Sequence, residues 1–102
     1  MPWVVVAKKD EVLPGTARMV EVAGHALAIC NTGSGVYTID NKCTHDNGPL
    51  GQGQLEGHVI VCPRHGARFD VTNGRVLALP AVRPVKSWPT RLTDDAIEVE
   101  VP

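Results

Sequence analysis

The sequence is poor in aromatic residues and in cysteine, and neither sign of charge is in excess. Only four aromatic side chains and three cysteines occur among 102 residues. Three cysteines do not make the disulfide framework of a small secreted domain, and such cysteines more often bind a metal or stay as isolated thiols. Ten Lys and Arg stand against eleven Asp and Glu without a basic run or stripe, so we do not expect binding to nucleic acid.

Long apolar runs are also missing. No apolar stretch approaches the roughly 18 to 20 residues that a membrane span requires. The short apolar run from Trp3 to Ala7 has no basic segment before it and no small-residue cleavage site after it. We therefore expect a cytoplasmic protein without a signal peptide or a membrane anchor. A length of 102 residues fits a single compact domain and leaves no room for a second, catalytic one.

Short segments rich in Val, Ile and Thr alternate with Gly and Pro turn signals, and no segment has a long helical period. This pattern predicts antiparallel strands at Trp3–Ala7, Thr16–Val22, Ala26–Asn31, Val36–Asp40, His58–Val61, Arg68–Val71, Val85–Leu92 and Ala96–Val101. Residues 41–57 are rich in Gly, Asn and Gln, which predicts a functional loop there instead of a strand.

Four potential metal ligands fall into two short clusters, Cys43-Thr44-His45 and Cys62-Pro63-Arg64-His65, with sixteen residues between them. Each cluster offers one thiolate and one imidazole from a segment between predicted strands, and two such loops can form a metal clamp. The mixture suits a binuclear iron cluster in which both cysteines bind one iron and both histidines bind the other. Neutral imidazoles in place of two thiolates reduce the negative charge at one iron and so raise the reduction potential.

Two other kinds of site use similar residues. Small zinc modules also combine two Cys and two His, but they usually place the cysteines together and the histidines together. A nucleophilic Cys–His pair would leave the second pair without a role. The mixed order favours iron, with zinc as the alternative. Cys30 is predicted to pack in the core, and His25 and His58 are predicted to be ordinary surface or hydrogen-bonded residues.

The pattern Cys-x-His, sixteen residues, Cys-x-x-His resembles the signature of the Rieske [2Fe–2S] family. Agreement continues downstream, in His65-Gly66-Ala67-Arg68-Phe69-Asp70, Thr72-Asn73-Gly74 and Ala78-Leu79-Pro80-Ala81, which resemble the ferredoxin components of ring-hydroxylating dioxygenases. The resemblance implies an all-β fold, an antiparallel β sandwich that carries a smaller cluster-binding subdomain at about residues 41–82.

The resemblance also implies a cofactor and the residues that hold it. One [2Fe–2S] cluster would be bound by Cys43, His45, Cys62 and His65. A third loop, Leu79 to Pro84, would cover the cluster, and the edges of the two histidine rings would lie near the surface, where a partner docks.

The chain differs from the high-potential Rieske proteins of cytochrome bc complexes at four positions. Those proteins carry a cysteine pair that bridges the cluster loops, where this chain has Gly48 and Arg64. They also place hydroxyl donors to the cluster and its cysteine sulfur where this chain has Ala67 and Phe69. The comparison implies a potential toward the low end of the Rieske range.

The function that the resemblance implies is that of a one-electron carrier, not an enzyme. It would take electrons from an NAD(P)H-linked flavoprotein reductase and pass them to a terminal non-haem iron oxygenase. The alternative is a small Rieske-like subunit of an NADH-dependent nitrite reductase. The oxygenase itself is excluded, because a mononuclear iron site needs two more histidines and a carboxylate that converge on one pocket. Only His25 and His58 remain, each in a strand-and-turn setting, and there is no further domain to house such a site.

Overall fold

The structure, a computed structural model, describes residues 2–101, which form eleven β-strands and two one-turn 3₁₀ helices. The strands are β1 (Trp3–Lys8), β2 (Thr16–Val22), β3 (His25–Asn31), β4 (Val36–Asp40), β5 (Gln54–Glu56), β6 (Val59–Val61), β7 (Arg68–Asp70), β8 (Val76–Ala78), β9 (Ser87–Trp88), β10 (Thr90–Thr93) and β11 (Ala96–Glu100). The 3₁₀ helices are Lys9–Glu11 and Leu50–Gln52. All strand pairs described are antiparallel, which confirms the predicted all-β fold. Among residues 2–101, no helix has the length and apolarity to cross a membrane.

The strands form three sheets, in the orders β1-β11-β10, β2-β3-β4-β9 and β5-β6-β7-β8. Strand β3 lies between two hydrophobic cores, because successive side chains of a strand point to opposite faces. Leu27 and Ile29 belong to the core shared with the β1-β11-β10 sheet. Ala28 and Cys30 belong to the core shared with the small β5-β6-β7-β8 sheet, which includes the fully buried Phe69. The small sheet therefore packs on the outer face of a basal sandwich.

Strands β1 to β4 agree with the prediction to within one residue at each end, but three later predictions were wrong. Residues 41–57 were expected to be a loop, yet β5 lies within them. Gln54, Leu55 and Glu56 have no β-branched side chain, and pairing with β6, with Leu55 opposite Ile60, makes this segment a strand. Strand β8 was missed in the same way and pairs with β7.

The third wrong prediction was one continuous strand over residues 85–92. The segment is divided into β9, which pairs with β4, and β10, which pairs with β11. Pro89 separates them, because proline has no N–H to give to a ladder. The chain thus leaves one sheet of the basal sandwich and enters the other.

Two glycines allow the backbone to close tightly around the small sheet. At Gly53, just before β5, a Cβ atom would overlap the carbonyl oxygen of Val61. At Gly74, where φ is +80°, a Cβ atom would overlap the carbonyl oxygen of Val85. The Val85 N–H also donates to the Gly74 carbonyl at 2.8 Å. The first close approach holds the residue before β5 against the end of β6, next to Cys62. The second holds the turn before β8 against Val85.

Candidate metal centre

The first candidate ligand loop, residues 41–48, follows β4 and is closed by its own backbone. The N–H of Cys43 donates to the carbonyl of Gly48, and the N–H of Asn47 donates to the carbonyl of Cys43, both at 2.8 Å. Asn47 takes a φ of +62°, in the left-handed region that Asn tolerates better than most residues. Asp46 Oδ1 accepts the N–H of Gly48 at 2.9 Å, a local turn that Asp favours.

The second ligand loop, between β6 and β7, repeats this arrangement. The N–H of Cys62 donates to the carbonyl of Ala67 at 2.7 Å, and the N–H of Gly66 donates to the carbonyl of Cys62 at 3.1 Å. Gly66, with φ of +78°, occupies the place that Asn47 has in the first loop. Each loop therefore turns through a left-handed residue four positions after its cysteine.

The two loops bring the four candidate ligands together. The sulfur atoms of Cys43 and Cys62 lie within 4.8 Å of each other, and so do one ring nitrogen from each of His45 and His65. The two imidazole rings are perpendicular, with centroids 5.2 Å apart. Cys43 is 0% and Cys62 is 2% exposed within the core that contains Phe69, whereas both histidines are exposed. The thiols therefore face the interior and the imidazoles face the surface.

Burial raises the pKa of the Cys43 thiol, because the core disfavours the thiolate, and the neighbouring Cys62 acts in the same direction. The backbone N–H groups of His45 and Asp46 oppose this rise. Two thiolates this close and this buried require a cation to balance their charge. Two sulfur and two imidazole donors provide the mixed set that a Rieske cluster takes.

Asp46 is a further residue of this site. Its Oδ2 is buried, makes no hydrogen bond among residues 2–101, and lies 3.2 Å from Nδ1 of His65. Asp46 also belongs to two groups of possible metal ligands: a carboxylate oxygen lies within 4.8 Å of both cysteine sulfurs, and a carboxylate oxygen lies within 4.8 Å of one ring nitrogen of each histidine. The hydrogen bond from Gly48 lowers the pKa of Asp46, and the positive side chain of Arg64 acts in the same direction. The sequence placed Asp46 beside the ligands but gave no sign that one oxygen would point among them.

The segment predicted to cover the centre, Leu79 to Pro84, packs against the first ligand loop. Thr44 Oγ1 donates to the carbonyl of Arg83 at 2.8 Å. Ala81 is buried in the same core as the two candidate cysteines. In contrast, Leu79 and Val82 are 76% and 73% exposed. This third loop therefore presents apolar side chains to solvent while Arg83 and Ala81 hold it against the candidate centre.

Arg64 lies over Gly48. A Cβ atom at Gly48 would be 3.0 Å from Cδ of Arg64 and 3.0 Å from Oδ1 of Asp46. The positions that the resemblance associates with a bridging disulfide are thus in contact, and a long basic side chain occupies the space between the loops.

The remaining Cys and His residues have other surroundings. Cys30 is fully buried, and burial raises the pKa of its thiol to about 12. The ring of His25 lies 4.8 Å from that of Trp88, and Nδ1 of His58 lies 3.4 Å from Oδ1 of Asp70. These positions agree with packing and local contacts instead of metal binding.

The Rieske [2Fe–2S] domain family matches residues 2–89, and the chain belongs to that family, whose cofactor is the [2Fe–2S] cluster. The ferredoxin component of the naphthalene 1,2-dioxygenase system of Pseudomonas putida is 31% identical, over 97% of this chain and 95% of the relative. This match confirms the expected electron-transfer ferredoxin and favours iron and sulfur over zinc.

Solved structures agree with the family assignment. The ferredoxin of carbazole 1,9a-dioxygenase from Nocardioides aromaticivorans superposes with a TM-score of 0.93 and 34% identity, over 97% of each chain. A chain from a complex of reduced oxygenase and oxidized ferredoxin in carbazole 1,9a-dioxygenase has a TM-score of 0.90 and 32% identity, over 95% of this chain and 91% of the other. A nitrite reductase small subunit shares the fold at 18% identity and a TM-score of 0.83, over 99% of this chain and 100% of the other. At that identity the likeness shows the fold alone.

Proposed function

We propose that Cys43 and Cys62 bind one iron of the cluster and that His45 and His65 bind the other, within a cluster-binding subdomain of about residues 41–82. The observation that carries this assignment is the arrangement of two adjacent buried thiols and two adjacent exposed imidazoles on matching loops. When bound, the cluster accepts and gives up one electron. The protein side chains hold it, exclude water on the cysteine side and expose the histidine edges.

The electron is passed from an NAD(P)H-linked flavoprotein reductase to a terminal non-haem iron oxygenase. The relative solved in complex with a carbazole dioxygenase oxygenase supports the oxygenase as partner, and the naming of the relatives as components of dioxygenase systems supports a reductase. Contacts in electron transfer are small, with less than about 1,200 Å² buried in total. Cys30, the cysteine outside the proposed ligand set, is a free thiol, which supports a cytoplasmic location, where thiols stay reduced.

Electron paramagnetic resonance of the reduced protein tests the ligand assignment. The wild type should give the low average g-value of a cluster with mixed Cys and His ligands, and His45→Cys or Cys62→Ala should change or abolish that signal. Cys30→Ala is the matched control, since Cys30 is equally buried but lies outside the ligand groups. A colourless protein with one zinc per chain, or loss of colour in Cys30→Ala, would contradict the assignment.

Transfer between proteins tests the function. Reduced wild-type protein should lose its electron to a ring-hydroxylating terminal oxygenase within stopped-flow times, and it should be reduced again by NADH only when a flavoprotein reductase is present. Transfer to a sirohaem nitrite reductase, without transfer to the oxygenase, would favour the nitrite reductase subunit.

A further inference from the structure

The ionisable side chains are divided unevenly between two parts of the molecule. Residues 41–86, which form the ligand loops, the small sheet and the third loop, contain six Lys and Arg and three Asp and Glu. The rest of the chain contains four Lys and Arg and eight Asp and Glu. A net charge of −1 therefore conceals a positive part around the metal centre and a negative basal sandwich.

The three acidic side chains of residues 41–86 have partners within the protein. Asp46 accepts a backbone N–H inside its own loop. Glu56 pairs with Arg68 at 3.0 Å, and Asp70 accepts the hydroxyl of Thr72 at 2.6 Å. Arg68 balances the charge of Glu56, and the side chains of Asp46 and Asp70 are only 15% and 16% exposed, so little of their negative charge faces solvent.

Three basic side chains near the centre face solvent instead, and of these Arg64 also lies close enough to Asp46 to lower the pKa of that carboxyl. Lys42, Arg64 and Arg83 are exposed, and none of them takes part in an ion pair among the residues that the structure describes. Lys42 directly precedes a ligand cysteine and Arg64 directly precedes a ligand histidine. Thr44 holds the Arg83 backbone against the first ligand loop. Each of the two ligand loops and the third loop thus carries an exposed basic side chain.

A cavity of about 400 Å³ lies at the junction of the first ligand loop and the third loop, lined by Lys42, Arg83 and Lys86 among others. Asp40 also lines it, but its Oδ1 accepts the indole N–H of Trp88 at 2.8 Å. Asp40 keeps its negative charge, so three basic side chains stand against one carboxylate in this cavity, and Lys86 Nζ lies 4.0 Å from the centroid of the Trp88 ring.

We propose that Lys42, Arg64 and Arg83 form the charged rim of a docking face for an electron-accepting protein whose own face is acidic. Leu79 and Val82, both mostly exposed on the third loop, add the apolar surface that protein interfaces combine with polar side chains. Complementary charge speeds encounter and orients the histidine edges toward the acceptor. This inference rests on the proposed electron-carrier function and specifies the chemistry of its partner.

Small redox ions test the charge of this face without a partner protein. The reduced protein gives one electron to hexacyanoferrate(III), an anion, or to hexaammineruthenium(III), a cation, and each ion is reduced by one unit. The rate with the anion should fall as salt is added, and the rate with the cation should rise. At an ionic strength of about 0.01 M, the double variant Lys42→Glu/Arg83→Glu should react ~10-fold more slowly with the anion.

Lys9→Glu, with half the charge change of the double variant, is the control for position, since Lys9 is exposed and lies in the basal part, where its backbone N–H donates to the carbonyl of Asp95 at 2.6 Å. It should change either rate by less than about twofold. Because all the substituted side chains are exposed, we expect both variants to keep the cluster. An electron paramagnetic resonance spectrum like that of the wild type verifies this. The proposed positive charge of this face would be contradicted if Lys9→Glu slowed electron transfer to the anion as much as the double variant does. It would also be contradicted if the wild-type rate with the anion rose as salt is added.

A terminal oxygenase tests the docking itself. Its reduction by wild-type protein should slow with added salt, and Lys42→Glu/Arg83→Glu should slow it further while Lys9→Glu does not. Transfer to the oxygenase that is unaffected by the double variant would overturn this docking face and leave the carrier function intact. If the wild type transferred no electron to the oxygenase but reacted with the two ions as expected, the result would count against the carrier function. The positive charge of the face would still be supported.

Discussion

Removing one hydroxyl tests whether the third loop closes the metal centre. Thr44 Oγ1 donates to the carbonyl of Arg83 at 2.8 Å and joins segments 39 residues apart. Thr44→Val keeps the shape of the side chain and removes the donor. Thr16→Val is the matched control, because Thr16 Oγ1 donates to the carbonyl of Leu13 at 2.6 Å, within one turn and outside the ligand loops.

The magnitude follows from the worth of a single hydrogen bond. A bond of this kind contributes about 1 kcal/mol to stability, which corresponds to a ~5-fold change in an equilibrium. If the cluster escapes when the third loop opens, Thr44→Val should release iron ~5-fold faster to a chelator. Thr16→Val should release it less than about twofold faster. Both variants should unfold about 4 to 8 °C below wild type, since both lose one hydrogen bond.

The assay is the decay of visible absorbance in excess chelator at constant temperature, with the melting temperature measured separately by circular dichroism. The comparison between the two variants separates local opening from global unfolding. Equal release rates in Thr44→Val and Thr16→Val, with equally lowered melting temperatures, would refute a closing role for the third loop.

Two further predictions concern backbone packing and the reduction potential. Gly53→Ala should lower the free energy of unfolding by more than about 3 kcal/mol, because its Cβ would overlap the Val61 carbonyl, whereas Gly57→Ala, at φ of +62° with open space around it, should cost only about 1 to 2 kcal/mol. Urea unfolding measures both, and equal losses would contradict the steric account. By protein-film voltammetry, the wild-type midpoint should lie nearer about −150 mV than +300 mV. Ala67→Ser and Phe69→Tyr, both fully buried in the core that holds the candidate cysteines, should each raise it by about 20 to 60 mV through a new hydrogen bond near the cluster, and a wild-type midpoint well above zero would contradict this reasoning.

Local signals explain why the first half of the fold was predictable. Strands β2 and β4 each contain three β-branched residues, β3 has an apolar run from Ala26 to Cys30, and Gly-containing turns separate the three strands. Strand β5 lies between Gly53 and Gly57 but has neither a β-branched residue nor an apolar run, and β8 has only three residues, one of them β-branched, Val76. Both exist because a neighbouring strand pairs with them. Tertiary pairing of this kind leaves no mark in a short stretch of sequence.

The candidate ligands could be found because two short motifs contain all of them. The position of Asp46 Oδ2 could not, since the Asp46-Asn47-Gly48 sequence predicts a turn but not which oxygen points inward. The contact between Thr44 and Arg83 was equally hidden, because it joins residues that are distant in sequence.

The matching loops explain how two different spacings serve one centre. Each loop has the same hydrogen-bonded frame, with a cysteine at its start and a left-handed residue four positions later. The histidine occupies the second position after the cysteine in one loop and the third in the other, and in both cases it lies in the exposed turn. Under the proposed assignment, the apolar core closes the cysteine side and leaves one edge for the electron. Donor and acceptor proteins must then use that edge in succession, a requirement that suits a mobile carrier better than a subunit fixed in an assembled enzyme.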